Sequence, residues 1–260
     1  MISTCHSYSA FMRHCGISAV SKAVHKAPKT ILTLSSKKID KTNKRFKLLS
    51  AVIYLSPSTE SGRWNLCPHA SPGCAKTCLG HSSGRMVMPT HRRARLERTE
   101  LFMVDRPEFV RRLIREVTLL EARAKRKGLR ACVRLNGSSD IPWEALAPEL
   151  FRRFPRVRFY DYTKNLGRME AFLAGQFPRN YYLTFSRSEV NEPQCLEVLA
   201  HGGTVAVVFG GKLPKTWPWH CARVIDGDTH DARFHDRAGV VVGLSAKGKA
   251  RKDTSGFVVR

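Results

Sequence analysis

The stretch Val205-Ala-Val-Val-Phe209 decides the fold, because it is apolar at every position. A strand with one solvated face alternates apolar and polar residues, whereas a strand covered on both faces, as in a parallel sheet, is apolar throughout. Strand-like runs recur upstream, with helical segments between them. The runs are Ala131–Leu135, Val157–Thr163 and Tyr181–Phe185, and the helical segments are Trp143–Phe154, Leu166–Ala174 and Pro193–Ala200. This alternation predicts βαβ units and a parallel sheet.

Further strands are predicted on both sides of this block, at Ala51–Leu55, Arg223–Ile225 and Gly239–Leu244. The last two have no helix between them, and their links are rich in Pro, Gly and charge. We therefore expect an α/β fold, a partial or irregular β/α barrel with mostly parallel strands, built as one domain over residues 51–260.

Residues 1–50 differ from the rest in charge, because ten Lys and Arg residues stand there against the single acid Asp40. Apolar periodicity is poor in this stretch. The pattern predicts a basic, partly flexible N-terminal arm.

The whole chain is also basic. Its 260 residues carry 45 Lys and Arg against 21 Asp and Glu, a net charge of +24. Such an excess favours polyanions, so nucleic acid or a phosphorylated substrate is the expected partner; the alternative is a generally basic surface with no specific ligand. No apolar run is long enough to span a membrane, and the first 30 residues lack the continuous hydrophobic region that a secretory signal has. We therefore expect a cytoplasmic protein without a membrane partner.

A loop over residues 56–89 contains three clustered cysteines, Cys67, Cys74 and Cys78, in a C-x6-C-x3-C spacing. Thiolates are soft ligands that select zinc, copper(I) or iron–sulfur clusters. Three thiolates can hold a [4Fe-4S] cluster with one iron left open. A structural zinc needs a fourth ligand, such as His69, His81 or a distant thiol. Ordinary loop cysteines are the third possibility.

Polar residues follow each of the predicted strands. Because the carboxyl ends of barrel strands converge, residues such as Asn136, Asp140 and Lys164 are expected to share one site. The alternative for any one of them is a helix cap or an ordinary polar loop.

Four segments together resemble the phage gene product 88 family, over about residues 31–260. The segments are Cys67–Gly80, Arg134–Glu144, Tyr160–Asn165 and Tyr182–Glu189. The resemblance implies a phage protein that works in the cytoplasm of the host cell, and it assigns no activity.

The position of the cysteines, after the first strand of a partial β/α barrel, is more remotely similar to the radical S-adenosylmethionine enzymes. That resemblance implies a [4Fe-4S] cluster on Cys67, Cys74 and Cys78, with S-adenosylmethionine bound at the open iron and an electron donor as partner. It also implies a pocket for the cofactor or substrate, lined by Asn136, Ser138, Asp140, Lys164, Ser186 and Arg187. The sequence departs from that superfamily in its longer cysteine spacing and in Asn136-Gly137-Ser138, where a glycine-glycine-glutamate run is expected.

Two functions follow from these patterns. The first is an iron–sulfur, radical-SAM-like enzyme acting on nucleic acid or a nucleotide, with its catalytic residues unassigned. The second is a non-catalytic, zinc-stabilised nucleic-acid-binding protein. In the second, phosphates would bind a basic helix through Arg92, Arg93, Arg95 and Arg98, for which the alternative is a solvated helix face. Bases could stack on Trp64, Trp217 and Trp219, although packing in the core is the favoured expectation for each of them.

A divalent-cation hydrolase is a third, weaker reading, and it would use Asp226, Asp228 and Asp231.

Overall fold

A computed structural model describes residues 27–34, 36–217 and 221–260. Within these residues, nine strands join one sheet. The strands are β1 (Leu32–Thr33), β2 (Leu48–Ile53), β3 (Arg130–Arg134), β4 (Arg158–Thr163), β5 (Tyr181–Ser186), β6 (Val205–Phe209), β7 (Val224–Asp226), β8 (Val241–Ser245) and β9 (Val258–Val259).

The order of the strands across the sheet is β1-β2-β3-β4-β5-β6-β8-β7, and β9 pairs with β6. β1 runs antiparallel to β2, and the other pairs are parallel. The predicted α/β fold with mostly parallel strands is confirmed. The sheet stays open and does not close into a complete barrel.

The helices lie between strands that neighbour each other in chain order. Parallel crossover connections are right-handed in nearly all proteins, so the four connections from β2 to β6, which all advance in one direction, place their helices on one face of the sheet. The α-helices of the described residues are α1 (Lys37–Phe46), α2 (Pro72–Thr77), α3 (Leu79–Ser82), α4 (Pro89–Val104), α5 (Arg106–Arg126), α6 (Trp143–Leu146), α7 (Pro148–Arg153), α8 (Leu166–Leu173) and α9 (Glu192–Ala200). Short 3-10 helices span Gly84–Val87, Arg233–His235 and Gly248–Lys252.

Helix α5 shows how the helical face forms. Asp105 caps its first turn by accepting a hydrogen bond from the Glu108 amide at 3.1 Å. Phe109, Leu113 and Val117 recur at helical spacing and are fully buried in the main apolar core. The amphipathic stripe therefore fixes which side of α5 packs on the sheet.

The opposite face of the sheet is more polar, because side chains alternate along each strand. On β3, Val133 belongs to the main core, whereas Cys132 packs in a separate cluster with Tyr160 of β4. The connection between β7 and β8 covers this second face, where its Ala232 joins the cluster. This connection also contributes Asp231, whose environment is described below.

The first core strand begins earlier than the sequence predicts. β2 spans Leu48–Ile53 in place of Ala51–Leu55, and α1 precedes it with Ser36 as N-cap. Residues 36–50, predicted as part of the arm, thus form a helix and the start of a central strand. Residues 1–26 lie outside the described part of the chain.

The segment predicted as one helix over Trp143–Phe154 is two short helices, α6 and α7. Pro148 stands at the first turn of α7. Proline has no N–H to donate to a preceding turn, so α6 ends at Leu146 and a new helix begins. Among the described residues, no helix is both long enough and apolar enough to cross a membrane.

Candidate active site

A cleft of about 510 Å³ opens at the carboxyl ends of the strands, and Cys67, Cys74 and Cys78 all line it. The loop that carries them follows β2, the first parallel strand. Residues 136–140 after β3, Lys164 after β4 and Ser186 at the end of β5 line the same space. The expected convergence of strand ends is therefore present in the structure.

The cysteine loop is fixed from two sides. Ser71 caps α2 by accepting a hydrogen bond from the Cys74 amide. Glu189, beyond the end of β5, accepts hydrogen bonds of 2.7 Å from the Ser71 hydroxyl and from the Gly73 amide. On the other side, the Cys67 thiol lies 3.6 Å from the Ser138 carbonyl oxygen. The loop is thereby tied to the ends of β3 and β5.

Lys164 places a positive charge among the three thiols. Burial acts to lower the pKa of Lys164, but the neighbouring Cys74, Asp140 and Cys67 outweigh it and raise this pKa above its ordinary value. Lys164 also acts on Cys78. Burial raises the pKa of the Cys67 and Cys78 thiols. One amine thus interacts electrostatically with every cysteine of the loop.

The arrangement does not form a compact single-ion site. In the described part of the chain, no three His, Cys, Asp or Glu side chains are grouped so that they could hold one metal ion. His69 instead shares a 3.0 Å contact with the Asn165 amide, on the β4 side of the cleft.

Three of the predicted cofactor-binding residues use their side chains within the protein. The Asn136 oxygen accepts hydrogen bonds from Ser139, Ile141 and Trp143. The Ser138 hydroxyl donates to the Leu55 carbonyl, and Asp140 accepts from the Lys164 amide at 2.8 Å. Asp140 also pairs with Arg168 at 2.8 Å. These side chains line the cleft, but their polar atoms are already bonded to other groups of the protein.

Lys164 and Ser186 line the cleft, whereas Arg187 is not among its lining residues. Its guanidinium donates hydrogen bonds to the carbonyls of Gly256 and Phe257 and pairs with Glu192 at 3.1 Å. Arg187 therefore holds the C-terminal segment, and assigning it to the cofactor pocket needs correction.

An ionic cluster centred on the buried Asp231 borders the cleft. Asp231 pairs with Lys38 and Arg134, each at 3.1 Å, and accepts a hydrogen bond from the Tyr160 hydroxyl. Burial alone would raise the pKa of Asp231, but Lys38 and Arg134 pull it below its usual range. Both cations also line the cleft, so two positive charges share one carboxylate there.

The carboxylates of the hydrolase hypothesis do not converge. Asp226 accepts a hydrogen bond from the Asp228 amide, Asp228 pairs with Lys247, and Asp231 lies in the cluster just described. Each is engaged by a donor or a cation, and this arrangement gives no support to a divalent-cation site.

The four arginines predicted to bind phosphate separate into two kinds. Arg95 is buried and forms a two-armed pair with Glu60 at 2.7 and 3.1 Å, and Arg98 is buried and donates to the Thr30 carbonyl. Neither can reach a phosphate outside the protein, so the prediction is wrong for these two. Arg92 and Arg93 are exposed, with 60% and 71% of their side chains accessible.

Two of the tryptophans considered as stacking surfaces, Trp64 and Trp217, are buried, and Trp219 lies outside the described residues.

Three aromatic residues that the sequence does not predict also line the cleft, namely Tyr54, Tyr162 and Phe257. Alternation gives a signal for Tyr162, which stands on β4 two positions before Lys164. Nothing local to the sequence points to Phe257 or to Glu189.

These features define a class of protein: an open, mostly parallel α/β sheet, with strands β1 to β6 in chain order and a cysteine-lined cleft at the carboxyl ends of the parallel strands. The chain belongs to the gene product 88 family, whose family model matches residues 26–260. Comparison with curated proteins gives no match, and comparison with solved structures gives none.

Proposed function

We propose that this protein is an iron–sulfur enzyme of radical-SAM-like type that acts on nucleic acid or a nucleotide. Cys67, Cys74 and Cys78 would hold a [4Fe-4S] cluster in the cleft. The observation that carries the proposal is the placement of three thiols from one loop in a cleft at the carboxyl ends of parallel strands.

The donor set favours a cluster over a structural zinc ion. A structural zinc ion takes four protein ligands, whereas a four-iron cluster can bond three thiolates and leave its fourth iron open. His69, a candidate for a fourth zinc ligand, contacts the Asn165 side chain at 3.0 Å.

Charge in the cleft also supports the proposal. A cluster held by three thiolates carries net negative charge, and Lys164 supplies a positive charge beside them. Such a cluster would supply one-electron reduction of a small molecule such as S-adenosylmethionine, with a partner protein as the electron donor. Lys38 and Arg134, which line the cleft and share a single carboxylate, would bind and orient an anionic part of the substrate.

The first test is metal and acid-labile sulfide analysis of the full chain purified without oxygen. The expected result is about four irons and four sulfides per chain, with the charge-transfer absorbance of a cluster, as thiolate-held clusters show. The variant Cys67→Ala/Cys74→Ala/Cys78→Ala should lose both. The matched control is Cys221→Ala, because Cys221 is exposed and does not line the cleft.

Two results would overturn the proposal. One zinc per chain without iron would move the function to the alternative, a zinc-stabilised nucleic-acid-binding protein. Equal iron in the triple variant and in the parent chain would show that these cysteines are not the ligands.

A further inference from the structure

Four short helical segments frame the mouth of the cysteine-lined cleft. They are α2, α3 and the 3-10 helices Gly84–Val87 and Gly248–Lys252, and each contributes a lining residue to the cleft. The last segment packs on both α2 and α3. Gly248 is held at a φ of +54°, and an added Cβ would clash with the Ser82 carbonyl oxygen. The four segments therefore form one continuous surface, here called the mouth face.

The mouth face is positively charged and contains no acid. Its five exposed cations are Lys76, Arg85, Lys249, Arg251 and Lys252. Over the whole stretch from Ser61 to Leu96 the sequence has no Asp or Glu. In the part of the chain that the structure describes, none of the five cations forms an ion pair. Their charge is thus fully available to a partner.

Apolar side chains lie among these cations. Leu79, Val87 and Met88 are 44%, 58% and 48% exposed. A surface that mixes unpaired cations with exposed apolar groups suits a single nucleic-acid strand, whose phosphates and base faces are both accessible. A duplex hides its base faces in the stack.

The cleft beneath the mouth face limits what can enter it. Its volume of about 510 Å³ lies in the range of small-molecule pockets. The cleft can therefore hold one nucleotide but not a duplex. Tyr54, Tyr162 and Phe257 line it, so a base that enters meets aromatic rings. Enzymes that act on a base take it from a single strand or extrude it from a duplex.

We infer that the mouth face binds a single-stranded nucleic acid, one nucleotide of which enters the cleft. The inference rests on the proposed function for the chemistry in the cleft, but the binding itself needs no cluster. It also moves the nucleic-acid contact from the helix that carries Arg95 and Arg98 to the neighbouring segments around the opening.

The test measures fluorescence anisotropy of a labelled single-stranded 15-mer, and of the same sequence as a duplex, with the full chain. The mouth variant is Lys76→Ala/Lys249→Ala/Lys252→Ala. The control variant, Lys44→Ala/Lys125→Ala/Lys127→Ala, removes the same charge from exposed lysines. These control lysines lie near the ends of α1 and α5, just before β2 and β3 begin. They are therefore at the amino ends of the strands, opposite the cleft.

The mouth variant should bind the single strand roughly tenfold more weakly and lower the salt slope by about 2, because each phosphate contact on a single strand contributes about 0.7. The control should stay within about twofold, and the duplex should bind more weakly than the single strand to the parent chain. Equal losses in both variants, or a duplex bound as tightly as the single strand, would overturn the inference. Binding of phosphatidylserine vesicles without binding of the oligonucleotide would also overturn it, in favour of a membrane partner.

Repeating the titration with Cys67→Ala/Cys74→Ala/Cys78→Ala separates the two proposals. If that variant still binds the oligonucleotide and the parent chain contains no iron, the iron–sulfur function is wrong and the nucleic-acid site stands. Iron in the parent chain with no oligonucleotide binding would do the reverse. Circular dichroism spectra and melting curves of all variants establish that they are folded.

Discussion

The Glu189 carboxylate, beyond the end of β5, accepts a 2.7 Å hydrogen bond from the Gly73 amide in the first turn of α2. Its second oxygen accepts one from Ser71, the residue that caps the same helix. An acid from one strand end therefore holds the backbone next to Cys74. Residue 73 is also closely surrounded, since an added Cβ would lie 2.2 Å from the Ser255 hydroxyl oxygen and within 3 Å of the Glu189 carboxylate.

Replacing Glu189 by Gln removes one of the two acceptors and should loosen the loop around Cys74. Some side chains do not bind the metal themselves but hold its ligands in place, and replacing one of them typically lowers metal affinity by about 10–100-fold. We expect Glu189→Gln to retain iron roughly tenfold more weakly, while the free energy of unfolding falls by only about 1–2 kcal/mol. The measurements are iron retained against a chelator and the urea midpoint. Glu197→Gln, at an exposed position of α9, is the control.

A loss of iron in Glu189→Gln no larger than in Glu197→Gln would contradict this positioning role. In iron-free protein, the rate at which Cys74 reacts with a thiol reagent gives a second readout. That rate should rise in Glu189→Gln and stay unchanged in the control.

Asp231 is shared by two cations, Lys38 and Arg134, so its removal should be costly. Asp231→Asn leaves the partly buried Arg134 without its carboxylate, and breaking one partner of a buried pair costs at most about 3–5 kcal/mol. Asp226→Asn, at an exposed position nearby, should cost less than about 1 kcal/mol. Urea unfolding at neutral pH measures both.

The contribution of Asp231 should also depend on pH. Its pKa is held below the usual range in the folded protein, so the stabilisation is present above about pH 4 and is lost on further acidification. Asp231→Asn lacks this titrating group and should show a weaker acid transition. The prediction fails if the two proteins lose stability in parallel as the pH falls.

The basic helix α4 offers a matched pair of arginine substitutions. Arg95 is 1% exposed and binds Glu60 with two nitrogen atoms, so Arg95→Ala leaves a buried carboxylate and should cost about 3–5 kcal/mol. Arg93 pairs with Glu97 on the helix surface, and Arg93→Ala should cost less than about 1 kcal/mol. Thermal and urea unfolding compare the two. Similar costs for both would show that Arg95 is not the structural residue described above.

The sequence predicts the central strands well because their signal is local. Val205–Phe209 is apolar throughout and forms β6 with the same bounds. The start of β2 was missed because Ser50 interrupts the apolar pattern. In the structure, the Ser50 hydroxyl donates to the Asn43 side chain at 2.5 Å and lies 3.0 Å from the Cys132 thiol. Contacts from elsewhere in the chain thus make a polar residue acceptable in a buried strand.

In the candidate site too, features with a local sequence signal are predictable and features that depend on distant contacts are not. The cysteine spacing and the convergence of strand ends identify much of the cleft lining, because both depend on short segments and on a general rule for parallel sheets. The burial of Arg95 and Arg98 depends on Glu60 and on the Thr30 carbonyl, which are distant in sequence. Arginine is seldom fully buried, so without those partners an exposed helix face was the natural expectation.

Asp161 gives a pH-dependent prediction of the opposite sign to that of Asp231. Its carboxyl is fully buried on β4 and accepts 2.6 Å hydrogen bonds from the Asn136 amide and the Tyr181 hydroxyl. Burial outweighs these bonds and raises the pKa of Asp161 from 3.8 to about 7. The folded protein therefore retains a proton at pH values where the unfolded chain has lost it. In that window, raising the pH favours the unfolded chain.

The expected contribution of Asp161 is a loss of about 2.5 kcal/mol of stability between pH 5 and pH 7.5. Asp161→Asn removes the titrating group and keeps the side chain's shape, so its stability should depend less on pH by that amount. Because the histidines and other acids titrate in both proteins, the quantity to compare is the difference between their unfolding free energies at each pH. This difference should narrow steadily as the pH rises if the parent chain is the more stable at pH 5. A difference that stays constant from pH 5 to pH 7.5 would mean that Asp161 is ionised throughout and that its hydrogen bonds, not its burial, set its charge.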